Sequence, residues 1–212
     1  MTTKLVIFDV DGTILQIHSW QHIHENLGTW LQAKIYYDQF FAKHISYEEW
    51  AQLDAALWKG ESLNKISRII SRMPYTHGVK ETFSILKRNG IKTYLLSAGL
   101  TQVAQRVQGY TGADGYTANT LKVKDGTLTG QVDVNVSFHN KDKHLPRILR
   151  EFNLAAKDCA AVGDDPTLIP LFKKVGLAVA FNPVSKAVER NAHVVIRGNN
   201  LLGIVPYVLE TP

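Results

Sequence analysis

Cysteine is almost missing from this chain of 212 residues: there is one, Cys159. A single thiol excludes an internal disulfide and suits a reducing compartment. Its setting, Asp158-Cys159-Ala160-Ala161-Val162, reads as a buried strand in which the thiol acts as a small apolar side chain. Long hydrophobic runs are also lacking. No stretch approaches the roughly 18 apolar residues of a membrane span, and no positively charged leader precedes a signal-like apolar segment. The expectation is a cytoplasmic protein with no membrane partner. Nor is there a dense basic tract. The net charge is +5, but the lysines and arginines are scattered and form no recognisable nucleic-acid module, which argues against a polynucleotide partner. The charge suits small anions, phosphate esters among them. Internal repeats and low-complexity linkers are absent as well.

What is present is an ordinary globular composition, 45% hydrophobic and 20% charged, in a chain long enough for one sizeable domain or a domain with a large insertion. The most informative stretch is Lys4-Leu5-Val6-Ile7-Phe8-Asp9-Val10-Asp11-Gly12-Thr13. Leu5 to Phe8 are apolar without alternation, the pattern of a strand buried on both faces. The strand ends in two carboxylates one residue apart. In an open α/β sheet, ligands sit at the carboxyl ends of the strands. Two acids there are costly unless a positive group joins them. Two readings follow: a nucleophilic aspartate beside a second acid, with a cation between protein and phosphoryl group, or a strand closed by an Asp-Gly turn.

Residues 14 to about 73 read as several helices without a clear strand. Trp20, Ile23, Leu27, Trp30 and Leu31 recur at helical spacing. Ser46 and Glu49 form a capping-box pattern before Trp50, Leu53, Leu57 and Trp58, and Ser62 is placed to cap a helix through Ile66, Ile69 and Ile70. The aromatic stripes are expected to form this segment's own core. Lys59, Lys65, Arg68 and Arg72 are expected on a solvated face. His18 and His22 share a helical face, but no further ligand spacing supports a metal pair.

From Gly78 onward strands and helices alternate, which argues a parallel sheet with crossover helices. Helices are expected over 80–89, 101–108, 144–152 and about 167–175, and strands over 91–96, 160–162, 177–181 and 194–196. Residues 120–123 and 131–136 flank Asp125-Gly126 as a β-hairpin. Four polar sites then fall at strand ends or on a following helix: Asp9/Asp11, Ser97, Lys141 or Lys143, and Asp164/Asp165. Together they supply a nucleophile, an acid/base, a hydroxyl and an ammonium for phosphate oxygens, and carboxylates for a hard cation.

Three stretches, Asp9-Val10-Asp11-Gly12-Thr13, Tyr94-Leu95-Leu96-Ser97 and Val162-Gly163-Asp164, resemble the motifs of the haloacid dehalogenase-like superfamily. The nearest branch is the phosphoserine phosphatase-like one, with its helical cap inserted after the first strand. Lys124-Asp125-Gly126 through Leu128-Thr129-Gly130 is similar to that branch's hairpin. The resemblance implies a Rossmann-like parallel α/β core over residues 1–13 and 78–212, a helical cap over 14–77, and Mg²⁺ as cofactor. It implies that Asp9 attacks phosphorus and that Asp11 protonates the leaving alcohol and later activates water. Asp9, Asp164 and the Asp11 carbonyl would hold the metal. Ser97, the backbone N–H of Ala98 and Lys141 would hold phosphate. Lys141 is preferred to Lys143 because it stands 22 residues before Gly163, the interval of this branch. Backbone N–H groups of Val10, Asp11 and Gly99 could add donors.

The chain departs from the branch in three places. Where the family has further polar residues after Gly163-Asp164, this chain has Asp165, Thr167 and Leu168. That leaves Asp165 as the one nearby carboxylate for a metal's outer shell. The glutamate and arginine that hold serine's amine and carboxylate in phosphoserine phosphatases align with His18 and Gln52. The expected function is a Mg²⁺-dependent phosphatase of a small phosphomonoester, acting through an aspartyl-phosphate and not dedicated to phosphoserine. A phosphotransferase or mutase using the same intermediate, and a non-catalytic phosphate-binding regulatory protein, are the alternatives.

Overall fold

The computed structural model describes residues 3–210. Seven strands form one sheet: β1 (Leu5–Phe8), β2 (Lys92–Leu100), β3 (Gly115–Lys124), β4 (Thr127–Asp133), β5 (Cys159–Gly163), β6 (Leu177–Phe181) and β7 (Val194–Ile196). Their spatial order is β4-β3-β2-β1-β5-β6-β7, and only β4 runs antiparallel to its neighbour. β1 lies between β2 and β5, so the chain order reverses on either side of it. That reversal opens a crevice at the carboxyl end of β1.

Ten helices accompany the sheet: α1 (Ser19–Leu27), α2 (Trp30–Phe41), α3 (Tyr47–Ala56), α4 (Leu63–Ser71), α5 (Val79–Arg88), α6 (Thr101–Thr111), α7 (Lys141–Phe152), α8 (Ile169–Phe172), α9 (Lys186–Arg190) and α10 (Val205–Leu209). All four residues of β1 are buried on both faces, Val6 and Phe8 in one apolar cluster and Leu5 and Ile7 in the other. Cys159 is buried in the second cluster. Burial and the neighbouring Asp158 push its thiol up to about 12, as suits a packing residue. Among the described residues no helix is long and apolar enough to cross a membrane.

Local chemistry explains where several elements start. Ser46 Oγ accepts from Glu49 N at 3.1 Å, and Glu49 Oε2 accepts from Ser46 N at 2.7 Å, closing the capping box of α3. Ser62 Oγ accepts from Lys65 N at the start of α4. Asp125 and Gly126 both have positive φ, 50° and 74°, as a two-residue hairpin turn of primed type demands. Lys59, Arg68 and Arg72 are exposed as expected, while Lys65 pairs with Glu61.

The structure corrects several boundaries. β2 continues past Ser97 to Leu100, with a register irregularity after Leu96 that lifts Ser97-Ala98-Gly99 out of regular pairing with β3. β3 begins at Gly115 and β4 at Thr127, both ahead of the expected hairpin arms, because the turn at Asp125-Gly126 closes directly onto Thr127. α7 begins at Lys141 and not at 144. The helix expected over 167–175 is a 3₁₀ turn, Pro166–Leu168, followed by the short α8, with prolines at 166 and 170.

α1 to α4 lie in sequence between β1 and α5. They are tied to the sheet through the hairpin's backbone: Gly60 N donates to Leu128 O, Leu128 N to Glu61 O, and Leu63 N to Gly126 O.

Candidate active site

The register of the sheet brings the motif residues together. Phe8 is level with Leu95 of β2 and with Val162 of β5. One residue further on, Asp9 emerges between Leu96 and Gly163, and Ser97 and Asp164 follow at the next position of each neighbouring strand. Asp9 N donates to Val162 O at 2.9 Å, which fixes the chain where it leaves β1. A cavity of about 740 Å³ opens here, and Asp9, Asp11, Ser97, Ala98, Lys141 and Asp165 line part of it.

Asp9 is buried and held at both oxygens: Oδ1 accepts from Val10 N at 2.8 Å, and Oδ2 accepts from Lys141 Nζ at 2.5 Å. Burial raises its pKa to about 6, with Asp165 adding to the rise and Lys141 opposing it. Lys141 is 2% exposed although it is the first residue of α7. Burial works against its charge, but Asp9, Asp165 and Asp164 outweigh that and its pKa is raised, so the ammonium stays charged. Lys143, by contrast, is exposed.

Asp11 is held by one oxygen only. Its Oδ2 accepts from Ser19 N at 2.9 Å and Ser19 Oγ at 2.7 Å, at the start of α1. Its Oδ1 is buried with no partner. Burial raises the pKa of Asp11, more than the Ser19 hydrogen bonds and the nearby His18 lower it. A carboxyl raised by burial and with one oxygen free is suited to giving and taking a proton.

Asp164 is 2% exposed and accepts from Thr13 Oγ1 at 3.0 Å. Burial, then Asp9, then Asp165, push it up to about 8. Its other oxygen packs on the backbone of Gly12, where a Cβ would lie 2.2 Å from Asp164 Oδ2. Gly12 also has φ 74°, so the position demands glycine on both counts. Two buried carboxylates, of which Asp9 raises the pKa of Asp164, beside a backbone with no side chain in the way, suit a cation. Among the described residues no three His, Cys, Asp or Glu side chains converge into a cage. Asp9, Asp164 and the Asp11 carbonyl are the groups that could hold a hard divalent ion here, with water and a phosphate oxygen in its other positions.

The remaining sequence candidates part company. Ser97 is buried and its Oγ accepts from Gly99 N at 2.9 Å. A Cβ on Gly99 would come within 3.0 Å of both Ser97 Oγ and Ser19 Oγ. Asp165 lines the cavity, but its Oδ1 caps the 3₁₀ turn, accepting from Thr167 N at 2.9 Å and Thr167 Oγ1 at 2.5 Å. Leu168 is fully buried, and a Cβ on Gly163 would lie 1.9 Å from its Cδ1. His18 precedes α1 and lines the cavity, while the partner of His22 is Asn26. Gln52 does not line the cavity. Its amide donates to Val132 O at 2.6 Å and accepts from Val132 N at 3.3 Å, pairing α3 with β4. The alignment placed it at a substrate position, but an amide can satisfy a strand's edge groups and this one does.

Sequence reasoning missed Ser19, Thr13, Asn119 and Tyr47. Ser19 had a usable signal, a small polar residue just ahead of the Trp20-to-Leu27 helical pattern. Thr13 stood in the first motif without an assigned role, and Asn119 and Tyr47 had no signal. Ala98 O accepts from Asn119 Nδ2 at 2.8 Å, Tyr47 Oη at 2.9 Å and Trp20 Nε1 at 3.3 Å, partners scattered over 99 positions of sequence.

A family model for haloacid dehalogenase-like hydrolases matches residues 3–176. This chain belongs to that family. A phosphoserine phosphatase from Methanocaldococcus jannaschii is 30% identical over 208 residues, covering 97% of each chain. A structure described as a phospho-aspartyl intermediate analogue of phosphoserine phosphatase has a TM-score of 0.85 and 28% identity, covering 98% of this chain and 100% of the other. A haloacid dehalogenase family hydrolase from Salmonella enterica reaches a TM-score of 0.91 at 21% identity, covering 99% of this chain and 72% of the other, a likeness of fold. The α/β fold is thus that of the haloacid dehalogenase-like hydrolases, and the chain is a phosphatase of this family. Such phosphatases generally use a divalent metal, which the donor set around Asp9 and Asp164 can accept.

Proposed function

We propose that this enzyme hydrolyses a small phosphomonoester with Mg²⁺ as its cofactor, and that Asp9 is the nucleophile and Asp11 the general acid and base. The observation that carries the reading is the pair of differently held carboxylates. Asp9 is fixed at both oxygens and paired with a cation; Asp11 is anchored at one oxygen and free at the other. Environments that separate two acids in this way mark separate roles.

In the first half-reaction an Asp9 oxygen bonds to phosphorus while the bond from phosphorus to the alcohol oxygen breaks, and Asp11 gives its proton to that oxygen. In the second, Asp11 takes a proton from water, the water oxygen bonds to phosphorus, and the acyl phosphate bond to Asp9 breaks. Lys141, Ser97 and the backbone N–H of Ala98 hold the phosphate oxygens. Lys141 also keeps Asp9 ionised against burial. Mg²⁺ bound by Asp9, Asp164 and the Asp11 carbonyl would neutralise phosphate charge, without which two buried carboxylates repel the substrate. Residues 14–77 act as the cap over a core of 1–13 and 78–212, and the protein works in the cytoplasm.

The relatives named phosphoserine phosphatase raise that substrate for this chain. Against a dedicated role, a buried zwitterion needs each charge paired. Gln52 is spent on β4 and His18 is exposed. Lys34, the other cation lining the cavity besides Lys141, is 54% exposed and paired with Asp38.

Asp9→Asn tests the reading, with Mg²⁺ and an aryl phosphate. Activity should fall by more than about a hundredfold, and a protein of intact fold that retains more refutes the assignment. Supplying a sugar phosphate acceptor separates a hydrolase from a mutase.

A further inference from the structure

Part of the cavity lining is aromatic, with Trp20, Trp30, Tyr37, Trp50 and Phe138 in it, and a further acid, Asp54, lines the cavity one turn along α3 from Trp50. Asp54 is on α3 and 3% exposed. Its Oδ2 lies 3.5 Å from His24 Nε2. Trp58 Nε1 donates to His24 Nδ1 at 3.0 Å, so Nδ1 is an acceptor and the ring's proton is on Nε2, facing Asp54. The ring presents Nε2 to Asp54 without completing a hydrogen bond to it. Asp54 Oδ1 is buried with no partner. Burial raises the pKa of Asp54, and its neighbours His24 and Trp50 oppose that rise without overcoming it; Trp50 Nε1 completes no hydrogen bond. Tyr47, on the same helix as Asp54, donates to Ala98 O at 2.9 Å, which ties this helix to the segment that carries Ser97.

A buried carboxylate without a counter-cation is costly, and an orphaned oxygen on it more so. A chain that keeps one in a substrate cavity has a place for a cation. Aromatic walls favour an ammonium whose positive charge is spread over alkyl groups, because ring faces attract it without supplying hydrogen-bond acceptors. A primary ammonium needs three acceptors. Among the cavity-lining side chains only Asp11 and Asp54 have a buried, unpartnered acceptor oxygen.

We propose that the aromatic part of the cavity is a cation site, and that the alcohol released from the phosphate ester carries an ammonium there, a quaternary one in preference to a primary one. The proposal rests on the phosphatase reading above and names its substrate class.

The test compares kcat/KM for phosphocholine with that for 3,3-dimethylbutyl phosphate, which has the same shape and no charge. Phosphoethanolamine and L-phosphoserine extend the series, and p-nitrophenyl phosphate reports the hydrolase itself. Phosphocholine should exceed its uncharged isostere by about tenfold or more. Phosphoethanolamine should fall between them, and phosphoserine should not exceed phosphoethanolamine. Asp54→Asn should bring the phosphocholine-to-isostere ratio close to one. A wild-type ratio within about twofold, with p-nitrophenyl phosphate hydrolysed, overturns the cation site and leaves the phosphatase reading standing. If no ester is hydrolysed the phosphatase reading falls, and the cation site is decided by tryptophan fluorescence on adding choline or 3,3-dimethylbutanol. Saturable quenching by choline alone supports it, and equal responses overturn it. Should Asp54→Asn fail to fold, the wild-type ester ratio and the choline titration decide without it.

Discussion

The carboxylates that make the site work should make the metal-free protein weaker as pH rises. Asp164 is raised from an ordinary 3.8 to about 8 in the fold, by burial first and by Asp9 second. A group whose folded pKa is raised gives its full stability below the unfolded pKa and loses it as pH climbs through the folded one. Between about pH 4 and pH 8 the folded state therefore holds a proton that the unfolded chain has released. Each such proton changes the unfolding free energy by about −1.4 kcal/mol per pH unit. Asp9, raised to about 6, adds to the slope in the lower part of that window. The assay is urea unfolding in a chelator at intervals from pH 5 to 7.5, on wild type and on Asp164→Asn. The chain's 8 histidines titrate in the same range, so the quantity to read is the difference between the two slopes. That difference should approach one proton, with the variant more stable than wild type toward the alkaline end. Mg²⁺ should lift wild type most at high pH, because metal binding requires the ionised carboxylates, and should do little for the variant. Equal slopes in wild type and variant, or wild-type stability that rises with pH relative to Asp164→Asn, would refute the argument.

Three further outcomes follow from separate contacts. Gly12→Ala should cost about 2 kcal/mol or more in unfolding free energy, from a left-handed backbone and the collision with Asp164, and should raise the half-saturating Mg²⁺ concentration. Denaturant melts and a metal titration check both. Asp11→Asn should slow an alkyl phosphate far more than p-nitrophenyl phosphate, since a good leaving group needs less protonation; equal losses on the two would remove Asp11 from the acid's role. Gln52→Ala should lower stability by about 1–2 kcal/mol through two lost hydrogen bonds to Val132, while the ranking of substrates by kcat/KM stays the same.

The parts of the fold that could be read from sequence are those fixed by neighbours along the chain. The unbroken apolar run of Leu5 to Phe8 gives a strand buried on both faces, and Asp9 and Asp11 stand where that strand ends at the crevice. The capping box of Ser46 and Glu49 and the turn of Asp125-Gly126 are likewise local. The hidden parts depend on partners far apart. Lys141 could be singled out only by an interval, yet what buries it is Asp9, 132 positions away. Gln52 aligned with a substrate position, but its orientation is set by β4, which no pattern around residue 52 reports. The Trp58-His24-Asp54 chain joins α1, α3 and the turn that follows α3, and its residues belong to stripes that read as ordinary core. A Trp and a His at core spacing carry no mark of the hydrogen bond between them.

The carbonyl of Ala98 has a mechanical consequence for turnover. Two of its three donors, Trp20 Nε1 and Tyr47 Oη, come from α1 and α3, and the third, Asn119 Nδ2, comes from β3. Ala98 directly follows Ser97 in the segment lifted out of the sheet. On the proposed reading, an outward swing of α1 and α3 that lets an alcohol leave would strip two of those bonds from the peptide beside Ser97. Opening and loosening of the phosphate grip are then one motion, and a closed enzyme is also a braced one.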